Sequence, residues 1–221
     1  MLRPAAAVAA CSMLIACVPD TGPRTLPPPH TAADMPPYQG GYRIPVQGDW
    51  RVHRTHYGAT NDQSTALDLV VDQKIPRFSK GKTNRDYPSY GLPIVADAPG
   101  VVVTVVDGVP DNPPGVVNGY DMHGNYVVID HKNGEYSLFA HLIPGTIKVR
   151  RGELVGMGQV LGACGNSGRS TMAHLHWQVM DHANAHQARG VPVRMMTYEK
   201  NGRRTQARLE KGDRFRAVDS E

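Results

Sequence analysis

The chain has 221 residues, enough for one domain of ordinary size with appendages, and 40% of them are hydrophobic, enough for a single core. A formal charge of +4 with no Lys/Arg tract and no aromatic interleaving gives no support to nucleic acid as a partner, while an anionic polymer at a cell surface fits. Cys11 and Cys17 fall in an N-terminal apolar stretch, so Cys164 stands alone in the rest of the chain and an intrachain disulfide framework is excluded. Twenty-three Gly, eighteen Pro and many short Val-rich runs favour an all-β domain over a helical one.

Residues 1–16 carry Arg3 and then an apolar run too short to span a bilayer, and read as a signal peptide. The run closes on Leu14-Ile15-Ala16-Cys17, which resembles a bacterial lipoprotein box and makes Cys17 the expected site of lipidation. Val18 after that cysteine favours the outer over the inner membrane, so a periplasmic, lipid-anchored protein is expected. Residues 17–45 are Pro-rich and poor in aliphatic clusters, and read as a tether. Fully polyproline-like, it would reach about 80 Å. The folded domain is expected over 46–221, with a core at 46–195 and closing strands at 196–221.

Within it, Ala66–Val71 reads as a strand holding one acidic residue, Asp68, which when buried needs a hydrogen-bonding, ionic or metal partner. Asp72 to Tyr90, with five Lys or Arg, reads as a basic surface loop. Strands follow at Leu92–Ala96, Gly100–Val106, Asn125–Asp130 and Tyr136–His141, the last two flanking the hairpin turn Lys132-Asn133-Gly134. Leu154–Leu161 carries bends at Gly156 and Gly158, and Ala173–Met180 reads as a strand behind a glycine-rich loop. Val191–Tyr198 and Gln206–Val218, with a turn at Lys211-Gly212-Asp213, are read as closing strands.

Alternation on the Ala173–Met180 strand puts His174 and His176 on one face and Leu175, Trp177 and Val179 on the other. Two imidazoles side by side suit a metal ion, or one metal ligand beside one proton-transfer group, although they also occur as polar residues on a wet face. His56, Asp68 and His141 are the further candidates, and His56, Asp68 and one of the pair would complete a three-ligand catalytic metal site. His53 rivals His56. Cys164 is read as a buried thiol rather than a ligand, and His123, His131, His182 and His186 as surface residues.

His56-Tyr57-Gly58 with Ala66-Leu67-Asp68, Gly124-Asn125 to His131, Ala140-His141-Leu142, Gly165-Asn166-Ser167-Gly168 and His174-Leu175-His176 together resemble the lysostaphin and LytM type of zinc metallopeptidase, in order, over about residues 46 to 195. The resemblance implies a compact antiparallel β domain of sandwich or barrel-like form and one zinc ion. It also implies hydrolysis of peptide bonds in bacterial peptidoglycan, the expected partner. It makes His56, Asp68 and His176 the zinc ligands and His141 and His174 the catalytic histidines that do not bind metal. Two departures stand out: His56 and Asp68 are twelve positions apart rather than a few, and Met172-Ala173 replaces the Gly-Pro turn common before the His pair. Competing readings are a wall-binding domain of the same fold that activates another hydrolase, and a lipoprotein whose histidines merely buffer zinc.

Overall fold

The computed structural model describes residues 37–57, 63, 65–71, 81–119 and 121–218. The signal segment, Cys17, and Lys74, Arg77 and Lys80 of the basic segment lie outside them. Twelve strands run in chain order: β1 Asp49–Thr55, β2 Leu67–Val71, β3 Pro93–Val95, β4 Gly100–Val106, β5 Asn125–Asp130, β6 Tyr136–Leu142, β7 Leu154–Val155, β8 Val160–Ala163, β9 Leu175–Met180, β10 Tyr198–Lys200, β11 Arg203–Thr205 and β12 Arg214–Ala217. The only helical element among the described residues is a single 3-10 turn at Asn84–Asp86. Ten strands form one sheet in the order β11-β10-β12-β1-β2-β9-β6-β5-β4-β7, and β3 and β8 form a separate ribbon. Every strand pairing within these sheets is antiparallel.

Period-2 alternation decides what each face of the large sheet buries. Leu67 and Leu69 of β2, Val127 and Ile129 of β5, Phe139 of β6 and Leu175, Trp177 and Val179 of β9 enter the main core, which Ile94 of β3 and Leu161 of β8 close from the other side. Val128, Leu138, Ala140 and Met180 point the opposite way into a smaller cluster. Tyr42 and Ile44 are both 1% exposed and belong to the main core, so the ordered domain reaches further upstream than composition suggested. Their segment is tied down by backbone bonds to Arg194 and Met196, which a Pro-rich composition does not reveal.

His131 continues the alternation of β5 and is fully buried, contrary to its reading as a surface residue. Its Nδ1 donates to Pro99 O at 2.8 Å, and its Nε2 lies 2.8 Å from Ser137 Oγ. Ser137 donates to Asp97 Oδ2 at 2.6 Å, and Trp177 Nε1 donates to the same oxygen at 2.8 Å. A carboxylate with no solvent exposure is thus held by two donors on adjacent strands, and burial raises the pKa of Asp97.

Candidate active site

Asp68 and His176 are directly opposite in the β2–β9 ladder, on the face turned away from the main core. His176 Nδ1 lies 3.0 Å from Asp68 Oδ1. His56 arrives from the end of β1, where its backbone N–H donates to Ala66 O at 3.0 Å, and its Nε2 lies 3.1 Å from Asp68 Oδ2. The twelve-residue spacing is therefore closed by a backbone bond across the β1–β2 connection, and the two ligands expected from the resemblance meet despite the insertion. One donor atom from each of His56, Asp68 and His176 lies within 4.8 Å of the others, a set that could hold a metal ion. His53 lies upstream at a register shift of β1 and lines the same cavity without joining that set.

Asp68 is 7% exposed and buried among imidazoles. Burial works against its charge, but hydrogen bonds from His174, His176 and His56 outweigh it and hold the carboxyl far below the usual range.

His141 departs from regular strand geometry. Its φ of +66° lies in the left-handed region, where β5 and β6 slip register, and the ring lines the cavity rather than following Phe139 into the core. A non-glycine residue there costs on the order of 1–3 kcal/mol unless its surroundings enforce it. Here they do: the His141 N–H donates to His123 O at 3.0 Å, its carbonyl accepts from Gly165 N–H at 3.0 Å, and Nδ1 donates to Ser167 O at 2.8 Å. With Nδ1 as the donor, Nε2 is left without a proton. Burial takes His141 well below the ordinary imidazole range, reinforced by the charges of His174 and His176.

His174 sits one residue before β9, its ring 4.7 Å from that of His141. Nδ1 donates to Met172 O at 2.9 Å, and Nε2 is 3.6 Å from Asp68 Oδ1. Burial lowers its pKa, but the Asp68 carboxylate outweighs this and leaves it raised.

The glycine-containing motifs are the scaffold for these rings. The carbonyl of Gly165 accepts from His174 N–H at 3.3 Å, so one residue ties both histidines outside the donor set. Ser167 Oγ donates to Leu142 O at 2.8 Å and accepts from Asn125 N–H at 3.0 Å. Gly168 and Gly124 touch backbone to backbone, and a Cβ on Gly168 would stand 2.3 Å from Gly124 N. Asn166 Nδ2 donates to Asn112 O at 3.0 Å, anchoring the loop to the long β4–β5 connection.

His123, expected at the surface, is instead 3% exposed at the cavity wall. Its ring lies 6.2 Å from that of His176, and burial pushes its pKa down to about 3. Its position just before the Gly124-Asn125 motif was the available signal, since that motif is where the loop closes on the site. Cys164 is fully buried and burial pushes its thiol pKa up, consistent with a packing role. His182 and His186 are exposed.

Two imidazoles and a carboxylate converge beside two further histidines in one cavity on an all-β frame, a donor set of the kind that hydrolytic metal sites use. The sequence profile of Peptidase family M23 matches residues 86–188, and the chain carries an M23 peptidase domain. Peptidoglycan DD-endopeptidase ShyA of Vibrio cholerae is 30% identical over 154 residues, covering 70% of this chain and 29% of that protein. DD-carboxypeptidase/endopeptidase Mpg of Neisseria meningitidis is 31% identical over 139 residues, covering 62% of this chain and 22% of that protein. The chain thus spans less than a third of the length of these curated relatives. The catalytic domain of lysostaphin from Staphylococcus simulans superposes with a TM-score of 0.40 at 18% identity, covering 65% of this chain and 88% of that one. His56 and Asp68 lie upstream of the matched profile, and their meeting with His176 comes from the structure.

Proposed function

We propose that this domain is a zinc-dependent endopeptidase that cuts peptide cross-links or stem peptides of bacterial peptidoglycan. The observation that carries it is the convergence of His56, Asp68 and His176 with His141 and His174 in one cavity. The donors suit zinc in kind, two imidazoles and one carboxylate. They also converge, one donor atom from each lying within 4.8 Å of the others. Bound there, zinc supplies a Lewis acid that polarises the scissile carbonyl and makes a water easy to deprotonate near neutral pH.

The chain's own groups do the remaining work. His141, held with its proton on Nδ1, presents Nε2 as a base. His174 donates from Nδ1 to Met172 O and aims Nε2 at the Asp68 side of the cavity; doubly protonated, it would donate from Nε2 to the carbonyl oxygen as charge develops there. The names of the Vibrio relative, a peptidoglycan DD-endopeptidase, and of the Neisseria relative, a DD-carboxypeptidase/endopeptidase, support a direct cross-link as the bond cut. Lipidation at Cys17 and a Pro-rich tether would place the domain in the cell envelope, at the outer membrane, within reach of the wall.

The test incubates the purified full chain with peptidoglycan from directly cross-linked and glycine-bridged walls, with and without chelator, and reads released peptides by mass spectrometry. Chelator-sensitive loss of cross-linked dimers is expected. One zinc per chain with no product from either wall would overturn the reading in favour of a wall-binding or activating domain.

A further inference from the structure

What the cavity selects can be read from its charges, and this inference rests on the hydrolase reading above. The neighbouring strands β12-β1-β2-β9-β6-β5 set the order of the lining. Arg54, near the end of β1, and Lys211, from the turn before β12, line one side. That turn is tied to β1 by Gly212 N–H donating to Val52 O and Val52 N–H donating to Asp213 O, both at 2.9 Å. Arg169 lines the cavity from the far side, its backbone N–H donating to Met122 O at 3.3 Å just ahead of β5. The metal donors from β2, β9 and the end of β1 lie between, in a cavity of about 580 Å³.

Asp68 is the one carboxylate among the described residues that line this space, and it is committed to the imidazoles around it. The acids flanking Lys211 are engaged elsewhere: Asp213 lies 3.1 Å from Lys200 Nζ, and Glu210 lies 3.5 Å from Arg208 Nε. Among the described residues, none of Arg54, Arg169 and Lys211 forms an ion pair with an acidic side chain. The two ends of the cavity therefore carry positive charge with no internal counter-charge, and a concave, partly desolvated site focuses that field on whatever enters. A neutral peptide gains nothing from it. Carboxylates gain charge-assisted hydrogen bonds, bidentate ones where they meet a guanidinium.

The geometry points to a substrate peptide with free carboxylates on both sides of the scissile bond, one received by Arg54 and Lys211 and the other by Arg169. An uncharged glycine bridge then fits the chemistry of the centre but not the charge of its flanks. Masking the carboxylates as carboxamides removes the recognition and leaves the reacting bond unchanged.

The test uses the full zinc-loaded chain and two cross-linked peptide dimers that differ only in carrying carboxylates or carboxamides on the residues flanking the scissile bond. For the wild type, amidation should raise KM by about tenfold with kcat nearly unchanged. Arg54→Gln and Arg169→Gln should each raise KM for the carboxylate dimer by about three- to tenfold, the triple variant that adds Lys211→Gln should no longer distinguish the two dimers, and Arg169→Lys should recover part of the difference lost in Arg169→Gln. Equal KM values for the two dimers in the wild type would overturn the inference while leaving the hydrolase reading intact. If neither dimer is cut although zinc is bound, the hydrolase reading falls, and calorimetric binding of the same dimers decides this one separately: tighter binding of the carboxylate form supports it, equal binding overturns it.

Discussion

Replacing Gly165 with Ala should disable catalysis while sparing the metal donors. A Cβ at this position would stand 2.6 Å from Ile143 N, 2.8 Å from His141 O and 2.8 Å from Leu142 C. All three are backbone atoms and cannot rotate away, so the loop must move off the end of β6 by several tenths of an ångström. Two hydrogen bonds lie directly in that gap, Gly165 N–H to His141 O at 3.0 Å and His174 N–H to Gly165 O at 3.3 Å. Weakening both costs about 1–2 kcal/mol, and overpacking adds about 1–3 kcal/mol. At about 2–4 °C per kcal/mol for a domain of this size, a drop in Tm of roughly 4–20 °C is expected. His141 and His174 are displaced together, and a shift of about 1 Å in such groups lowers kcat by about a hundredfold. His56, Asp68 and His176 are joined by the β1–β2–β9 ladder rather than by this loop, so zinc stoichiometry should stay at the wild-type value. The assays are thermal melting, metal content and turnover of cross-linked dimers. An unchanged Tm with kcat within about twofold of wild type would refute the account of Gly165 as the shared anchor of the two histidines.

His176→Ala should abolish zinc retention and activity together, and full turnover in the presence of chelator would sink the metal mechanism. His123→Leu keeps a side chain at the cavity wall but leaves the ring of His176 facing hydrocarbon; about a tenfold loss of zinc affinity in chelator competition is expected, and unchanged affinity would reduce His123 to a wall residue. Asp97 has a raised folded-state pKa, so its favourable contribution is complete below about pH 4 and is lost as pH rises through the folded value. Melting of Asp97→Asn and wild type across pH 4 to 7 should therefore show the variant gaining on the wild type as pH increases, and a trend in the opposite direction would contradict the assignment.

Sequence reveals the parts of this fold whose signals are local. Alternation along β5, β6 and β9, the Asn-Gly turn between β5 and β6, and the shared face of neighbouring His residues are set by two or three residues at a time. Asp68 announced itself because a lone acid in an apolar strand needs a partner, and that partner proved to be three imidazoles. What stayed hidden depends on contacts between distant segments. His131 looked like a turn residue beside Lys132-Asn133-Gly134, yet Asp97 and Ser137 fix it inside. Tyr42 and Ile44 sat in a Pro-rich context and were assigned to the tether, but the β3–β8 ribbon and residues 194–196 give them a core to enter. Leu154–Leu161 bends at Gly156 and Gly158 as its glycines suggest, but that the bends divide it between the edge of the large sheet and the ribbon depends on distant strands.

The place of β9 between β2 and β6 bears on when the protein can act during its own manufacture. Asp68 and His176 are 108 positions apart in the chain yet adjacent across one ladder. A growing polypeptide therefore exposes His56 and Asp68 long before the strand that completes their neighbourhood has been made, and the site can close only after most of the chain is available and that separation has been paid in loop-closure entropy. A product truncated ahead of residue 174 would lack both members of the His-Leu-His segment and leave a slot between β2 and β6, two strand edges open to pairing with other chains. The donor set is thus complete only in a chain that includes β9, and a shorter product carries open strand edges that favour association with other chains.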